Sequence, residues 1–194
     1  MGKREAIIDS SIHLFKTNGI ENTKISDIVK DAQIAQGTFY LYFPSKLSLM
    51  PAIAEVMVEI MMKRIKNEVQ TGQTIEVQLT KIVESIYSVT EEYSELMAMI
   101  YSGLASTEHL KEWETVYAPV YEWISNLLED AKTNKKIRQS IEPHRTAKLI
   151  IGLVESTAEQ VHLYDYKDKH EIENQQTAVT QFLLDALGIS DNNS

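Results

Sequence analysis

Apolar residues recur along the chain at the three- and four-residue intervals of helices, and no stretch alternates apolar with polar as a half-buried strand would. Lys3 to Asn18 carries Ile8, Ile12 and Phe15 on one face, flanked by Ile7 and Leu14, and Gly19 stands where a helix terminator belongs. Ile25, Ile28, Val29 and Ala32 repeat the pattern, the chain breaks at Gln33-Ile34, and Ala35 to Tyr42 then set Phe39 and Phe43 four apart. This spacing predicts two short helices joined by a tight turn and packed on the first helix. A fourth helix is expected from Ser45 towards Val69, with Leu49, Ile53, Val56, Ile60 and Met61 inward. Pro51 lies in its second turn and should kink it, because proline removes a backbone donor.

Beyond Thr74 the same periodicity predicts only helices: Ile75 to Tyr93, a shorter one from Ser94 through Leu104, a long one capped by Thr107 and interrupted by Pro119, and two more from Pro143 to about Tyr164 and from about Glu171 to Leu187, closed by Gly188. The fold class is therefore all-α, with about nine helices. Residues 1–46 form a helix-turn-helix domain, residues 47–189 a larger helical domain entered through the fourth helix, and residues 190–194 a disordered tail.

The outward positions of the third helix, Gln36, Gly37, Thr38, Tyr40 and Tyr42, suit a nucleic-acid duplex. Gln36 and Thr38 can bond base edges in a major groove, Gly37 admits a close backbone approach, and tyrosine hydroxyls donate to phosphate oxygens. Lys24 and Lys46 add cations beside the same groove. Net charge of −9 argues against such a partner until its distribution is considered. Residues 1–46 hold six Lys and Arg against five Asp and Glu, leaving −10 on the remainder, so the acid lies away from the proposed reading helix.

At these positions the sequence resembles the TetR family of bacterial transcriptional regulators. Asn18-Gly19, Thr23, Ile28 and the run from Gly37 through Lys46, followed by Leu49, match that family's amino-terminal pattern at fixed offsets over about forty residues. The chain departs from it at Lys24, where many members have threonine, at Gln33, where many have glycine, and at Ala35, where many have a capping serine. The resemblance implies a DNA-binding amino-terminal domain and a small effector bound in the larger domain.

Within that larger domain Trp113, Tyr117 and Tyr121 recur every four residues, either as ordinary core aromatics or as one wall of a ligand cavity. Glu155, Glu159 and His162 form a stripe that lacks the paired histidines of a metalloprotease helix, so no metal is expected. If a carboxylate of this stripe faces the cavity, a cationic ligand is favoured, since a buried charge needs a partner. Ala147, Ile151, Val154, Ala158 and Val161 on the opposite face alternate by four and three, a seam for another helix, with Gly152 and Ser156 allowing close approach. Together with Phe182, Leu183, Ala186 and Leu187 they predict a four-helix interface between two subunits.

No cysteine occurs, so disulfides and thiolate metal sites are excluded, and no signal peptide or long apolar span is present. Glycine-rich phosphate loops, nucleophile elbows and Ser/His/Asp arrangements are missing too, which leaves catalysis and a cofactor unsupported. The expected protein is a cytoplasmic homodimer, not an enzyme. It represses from a double-stranded inverted-repeat operator and is released by a small hydrophobic effector; the alternative is an all-α ligand-binding protein that no longer reads DNA.

Overall fold

The computed structural model describes residues 2–104, 110–164 and 168–189, and of residues 99, 101–104 and 110–113 the backbone alone. Thr107, the tail 190–194 and the Trp113 side chain lie outside the described residues. Among those described, regular structure is helical throughout: α1 (Lys3–Asn18), α2 (Ile25–Asp31), α3 (Gln36–Tyr42), α4 (Met50–Glu68), α5 (Ile75–Glu92), α6 (Ser94–Leu104), α7 (Leu110–Thr133), α8 (Pro143–Glu159) and α9 (Lys169–Leu187). A 3₁₀ turn at Leu47–Leu49 precedes α4, and a π turn at Gln160–Tyr164 continues α8. The helices group into two compact units, Met1–Met57 with Tyr93–Val116 and Val58–Glu92 with Tyr117–Ser194. A boundary at residue 46 divides the chain by role, whereas compactness places the first turns of α4 with the amino-terminal helices.

In the first unit Ile7, Ile8 and Phe15 of α1 are buried with Ile28 and Val29 of α2 and Phe39 of α3. Each such side chain removed from water contributes about 1.5–3 kcal/mol, which is what holds three short helices that would be marginal alone. Local bonds set the helix starts. Asp27 accepts from the Lys24 backbone N–H at 2.9 Å, closing the start of α2, and the buried Thr23 hydroxyl donates to the Gly19 carbonyl at 2.8 Å. Gln33 carries the left-handed turn at φ 54°, and Ala35 begins α3 without a side-chain cap.

Pro51 does not kink the fourth helix. The segment after Ser45 is a 3₁₀ turn held by reciprocal Ser45–Ser48 bonds, so the α-helix starts only at Met50. Pro51 thus falls in the first turn, where its missing N–H has no intrahelical partner to lose.

In the second unit α5 packs on α8 and α9, and those two on each other. Leu79, Ile82, Val83 and Ile86 of α5, Ile150, Ile151 and Val154 of α8 and Val179, Leu183 and Leu187 of α9 are all buried, joined by Val120, Ile124 and Leu128 of α7. Pro143 occupies the first turn of α8 behind the Glu142 cap, whose carboxylate accepts from Arg145 N at 2.9 Å. Gly188 ends α9 at φ 74°, a left-handed terminator that tolerates few other residues.

Candidate nucleic-acid interface and effector site

Eight large apolar side chains stay exposed among the described residues, and their placement marks two surfaces. Tyr40, Leu41, Tyr42 and Leu47 cluster on and just after α3, while Leu149 and Phe182 lie on α8 and α9. Scattered apolar exposure is ordinary, but these four large side chains fall within eight residues, on and just after α3.

On α3, Phe39 and Phe43 turn inward with ring centroids 6.0 Å apart, which forces the intervening positions outward. Gln36 and Gly37 are exposed, Thr38 is half-buried, and Tyr40 and Tyr42 are roughly half exposed. A Cβ added at Gly37 would meet no atom of the chain within 4 Å, so nothing inside the protein requires glycine there. Leu41, 82% exposed, falls outside the expected set because a leucine between two aromatics reads as core. Lys24 is exposed at the start of α2.

Lys46, expected as a cation beside the groove, is tied to its own chain. Its ammonium donates to the carbonyls of Ile20 and Thr23 at 2.6 and 3.1 Å, pinning the loop that leads into α2. With two of its three donors engaged and the side chain half-buried, Lys46 braces this loop and keeps one donor.

The residues expected at the dimer seam fall on two faces. Val154 and Ala158 are fully buried within the chain and Val161, Leu183 and Leu187 nearly so, because this face of α8 and α9 packs against α5. Gly152, Ser156 and Phe182 do lie outside, and with Leu149, which is 70% exposed, they form the outer face of the α8–α9 pair. The four-three alternation is equally good for a core and for an interface, which is why spacing could not separate them.

Tyr117, 2% exposed, stacks against Tyr121 at 5.8 Å with the rings tilted by 34°, and the Lys148 ammonium lies 5.2 Å from the Tyr121 ring centre. The Tyr117 hydroxyl donates to Glu155 Oε1 at 2.6 Å. Burial pushes the Glu155 carboxyl up to about 8 and nearby Glu159 adds to the rise, while the Tyr117 bond opposes it. The acid is therefore largely neutral at pH 7. Glu159 is half-buried and accepts from the Tyr164 hydroxyl at 3.4 Å.

His162 leaves the stripe of Glu155 and Glu159. The π turn inserts one residue into the helical repeat, rotating the residues after it by about 100°, and the His162 ring stands edge-on to Tyr87 of α5 at 6.0 Å. Burial lowers the His162 pKa, with Glu91 opposing, and raises that of Tyr87. His162 Nε2 makes no hydrogen bond among the described residues, and the Tyr87 hydroxyl makes none of strict geometry, although the Thr157 hydroxyl lies near enough to oppose the rise in its pKa. Sequence periodicity could not find this pair, since nothing in it announces a π turn. The described residues hold no cluster of three or more His, Asp or Glu able to bind a metal, and no described helix is long and apolar enough to cross a membrane.

The raised pKa of Glu155 has a stability consequence. Its folded value lies above its unfolded one, so the contribution is complete below about pH 4.5 and is lost as pH rises through about 8. Glu155→Gln should raise the melting temperature at pH 8 more than at pH 5, measured by circular dichroism. An equal change at both pH values would contradict the burial of this carboxyl.

An all-helical chain with a helix-turn-helix in its first unit and a separate helical second unit is the architecture of a DNA-binding transcriptional regulator. Residues 7–53 match the family model described as bacterial regulatory proteins, tetR family, and residues 79–187 match the tetracyclin repressor-like C-terminal domain. A relative in Bacillus subtilis (strain 168), the uncharacterized HTH-type transcriptional regulator YvdT, is 35% identical over 187 residues, 96% of each chain. This chain belongs to the TetR family of transcriptional regulators. The fold is also that of the regulator FadR from Bacillus subtilis in complex with stearoyl-CoA, with a TM-score of 0.72, 19% identity and coverage of 92% of this chain and 96% of that one. Thermus thermophilus FadR, a repressor in complex with lauroyl-CoA, gives 0.74 at 16% identity with 98% of each chain covered.

Proposed function

We propose that this regulator represses transcription in the cytoplasm as a homodimer bound to an inverted-repeat operator, and that a small hydrophobic effector in the second unit releases it. The exposed face of α3 carries the reading. Gln36 and Thr38 bond base edges and Leu41 meets thymine methyl groups. Lys24, Tyr40 and Tyr42 contact phosphates, which position the helix without reading sequence. Gly37 lets the backbone approach the duplex, and Lys46 fixes the loop before α2.

Two copies related by a dyad place two α3 helices in successive major grooves about 34–36 Å apart. The outer face of α8 and α9, with Leu149, Gly152, Ser156 and Phe182, joins them. The effector lies against Tyr117, Tyr121, Glu155 and Glu159, and the acyl-CoA complexes of the two FadR regulators support a lipophilic ligand for this fold. Effector and operator need only prefer different states of the protein; a coupling of about 1–3 kcal/mol changes operator affinity roughly 5- to 150-fold, and by reciprocity the operator weakens the effector equally.

Selection of bound sequences from a random duplex pool tests this reading. An enriched inverted repeat is expected, and enrichment of nothing above the starting pool would remove DNA recognition. Lys46 gives a second test. Lys46→Met should lower thermal stability and leave the slope of log affinity against log salt unchanged, whereas loss of one phosphate contact would reduce that slope by about 0.9.

A further inference from the structure

We propose that the effector carries a positive charge, a protonated amine or quaternary ammonium on a lipophilic body, which pairs with the Glu155 carboxylate between the Tyr117 and Tyr121 rings. This deepens the ligand-binding reading above and rests on it.

Three observations lead there. First, Glu155 is surrounded deeply enough for burial to raise its pKa strongly, yet the side chain keeps part of its surface uncovered. Its carboxyl sits in low-dielectric surroundings beside Tyr117, while one side of the residue stays open to a ligand. Second, no Lys or Arg among the described residues forms an ion pair with Glu155 or with Glu159 one turn further on, and neutral His162 supplies no positive charge. A buried carboxylate left so must either keep its proton or acquire a cation. Third, Tyr117 both orients Glu155 through its 2.6 Å bond and shares a tilted ring pair with Tyr121, whose faces attract cations. The Lys148 ammonium over Tyr121 shows a cation already accepted at that ring.

On α7 the other titratable group at the site is Tyr121, on α8 they are Lys148 and Glu159, and on the π turn His162 and Tyr164. From α5, Tyr87 and Glu91 face His162. The charged groups of α9 are exposed. Only Tyr117 and Glu159 act on Glu155 directly. The buried His162 Nε2 remains available to bond a neutral polar atom of the same ligand.

The chemistry balances simply: the incoming cation displaces the carboxyl proton to solvent. Three probes with matched twelve-carbon chains decide it, each titrated below its micelle concentration into the full-length protein at pH 6, 7 and 8: dodecyltrimethylammonium, dodecanol and lauroyl-CoA. The cation should bind tightest, with affinity rising about tenfold per pH unit towards pH 8 and about one proton released per site at pH 7 by calorimetry in two buffers. Glu155→Gln should abolish that slope and cost the cation at least tenfold at pH 8, with circular dichroism reporting that the variant folds. A flat pH profile in the natural protein, or dodecanol or lauroyl-CoA binding as tightly as the cation at pH 8, overturns the proposal. If lauroyl-CoA alone binds and releases operator, the charge assignment falls while the ligand-responsive reading stands. If none of the three binds, both fall.

Discussion

Replacing Gly37 with leucine should leave the protein folded, slightly more stable, and at least tenfold weaker on its operator. Glycine within a helix costs about 0.8–1 kcal/mol relative to alanine, and leucine recovers most of that. No internal contact opposes the change, because a Cβ at Gly37 points into open space. The cost appears only when a duplex occupies that space, where the added side chain keeps the backbone of α3 from the groove floor. A lost base contact alone is worth about 1–3 kcal/mol. Melting temperature and operator affinity should therefore move in opposite directions. If the variant binds operator as tightly as the natural protein, α3 does not enter the groove by this face.

Leu149→Lys combined with Phe182→Lys should dissociate the dimer and remove operator binding in the same step. A two-fold interface uses each residue twice. Losing burial of one side chain at about 1.5–3 kcal/mol therefore becomes about 3–6 kcal/mol per substituted position, or roughly 10²- to 10⁴-fold in the dimer dissociation constant. Sedimentation should show a monomer with unchanged helix content, since both side chains already lie in solvent within one chain. A Val154→Lys variant would fail differently, by unfolding, because Val154 is fully buried in its own chain. A dimer that survives the Leu149 and Phe182 substitutions would place the interface elsewhere.

The amino-terminal helices are legible in the sequence because their signals are local. Asn18-Gly19 ends α1 where glycine permits positive φ, and the inward pair Phe39 and Phe43 fixes which α3 residues face out. The left-handed Gln33 and the uncapped Ala35 can be read the same way. Features that depend on distant parts of the chain are not legible. Whether Lys46 reaches a phosphate or a carbonyl depends on a loop more than twenty residues earlier. Which face of α8 is inside depends on α5, whose position no spacing encodes. Pro51 escapes its expected kink for a smaller reason, a 3₁₀ turn that delays the helix start by a few residues.

The π turn at Gln160–Tyr164 also makes the second unit open to change. Straightening it to the α repeat with no residue removed would carry His162 by about 100° onto the line of Glu155 and Glu159, seven and three residues after them. The Tyr87 ring would lose the imidazole that stands edge-on to it, and the carboxylates would gain one. A lineage of such regulators could exchange one arrangement of polar groups for another within this turn, without passing through an altered reading helix.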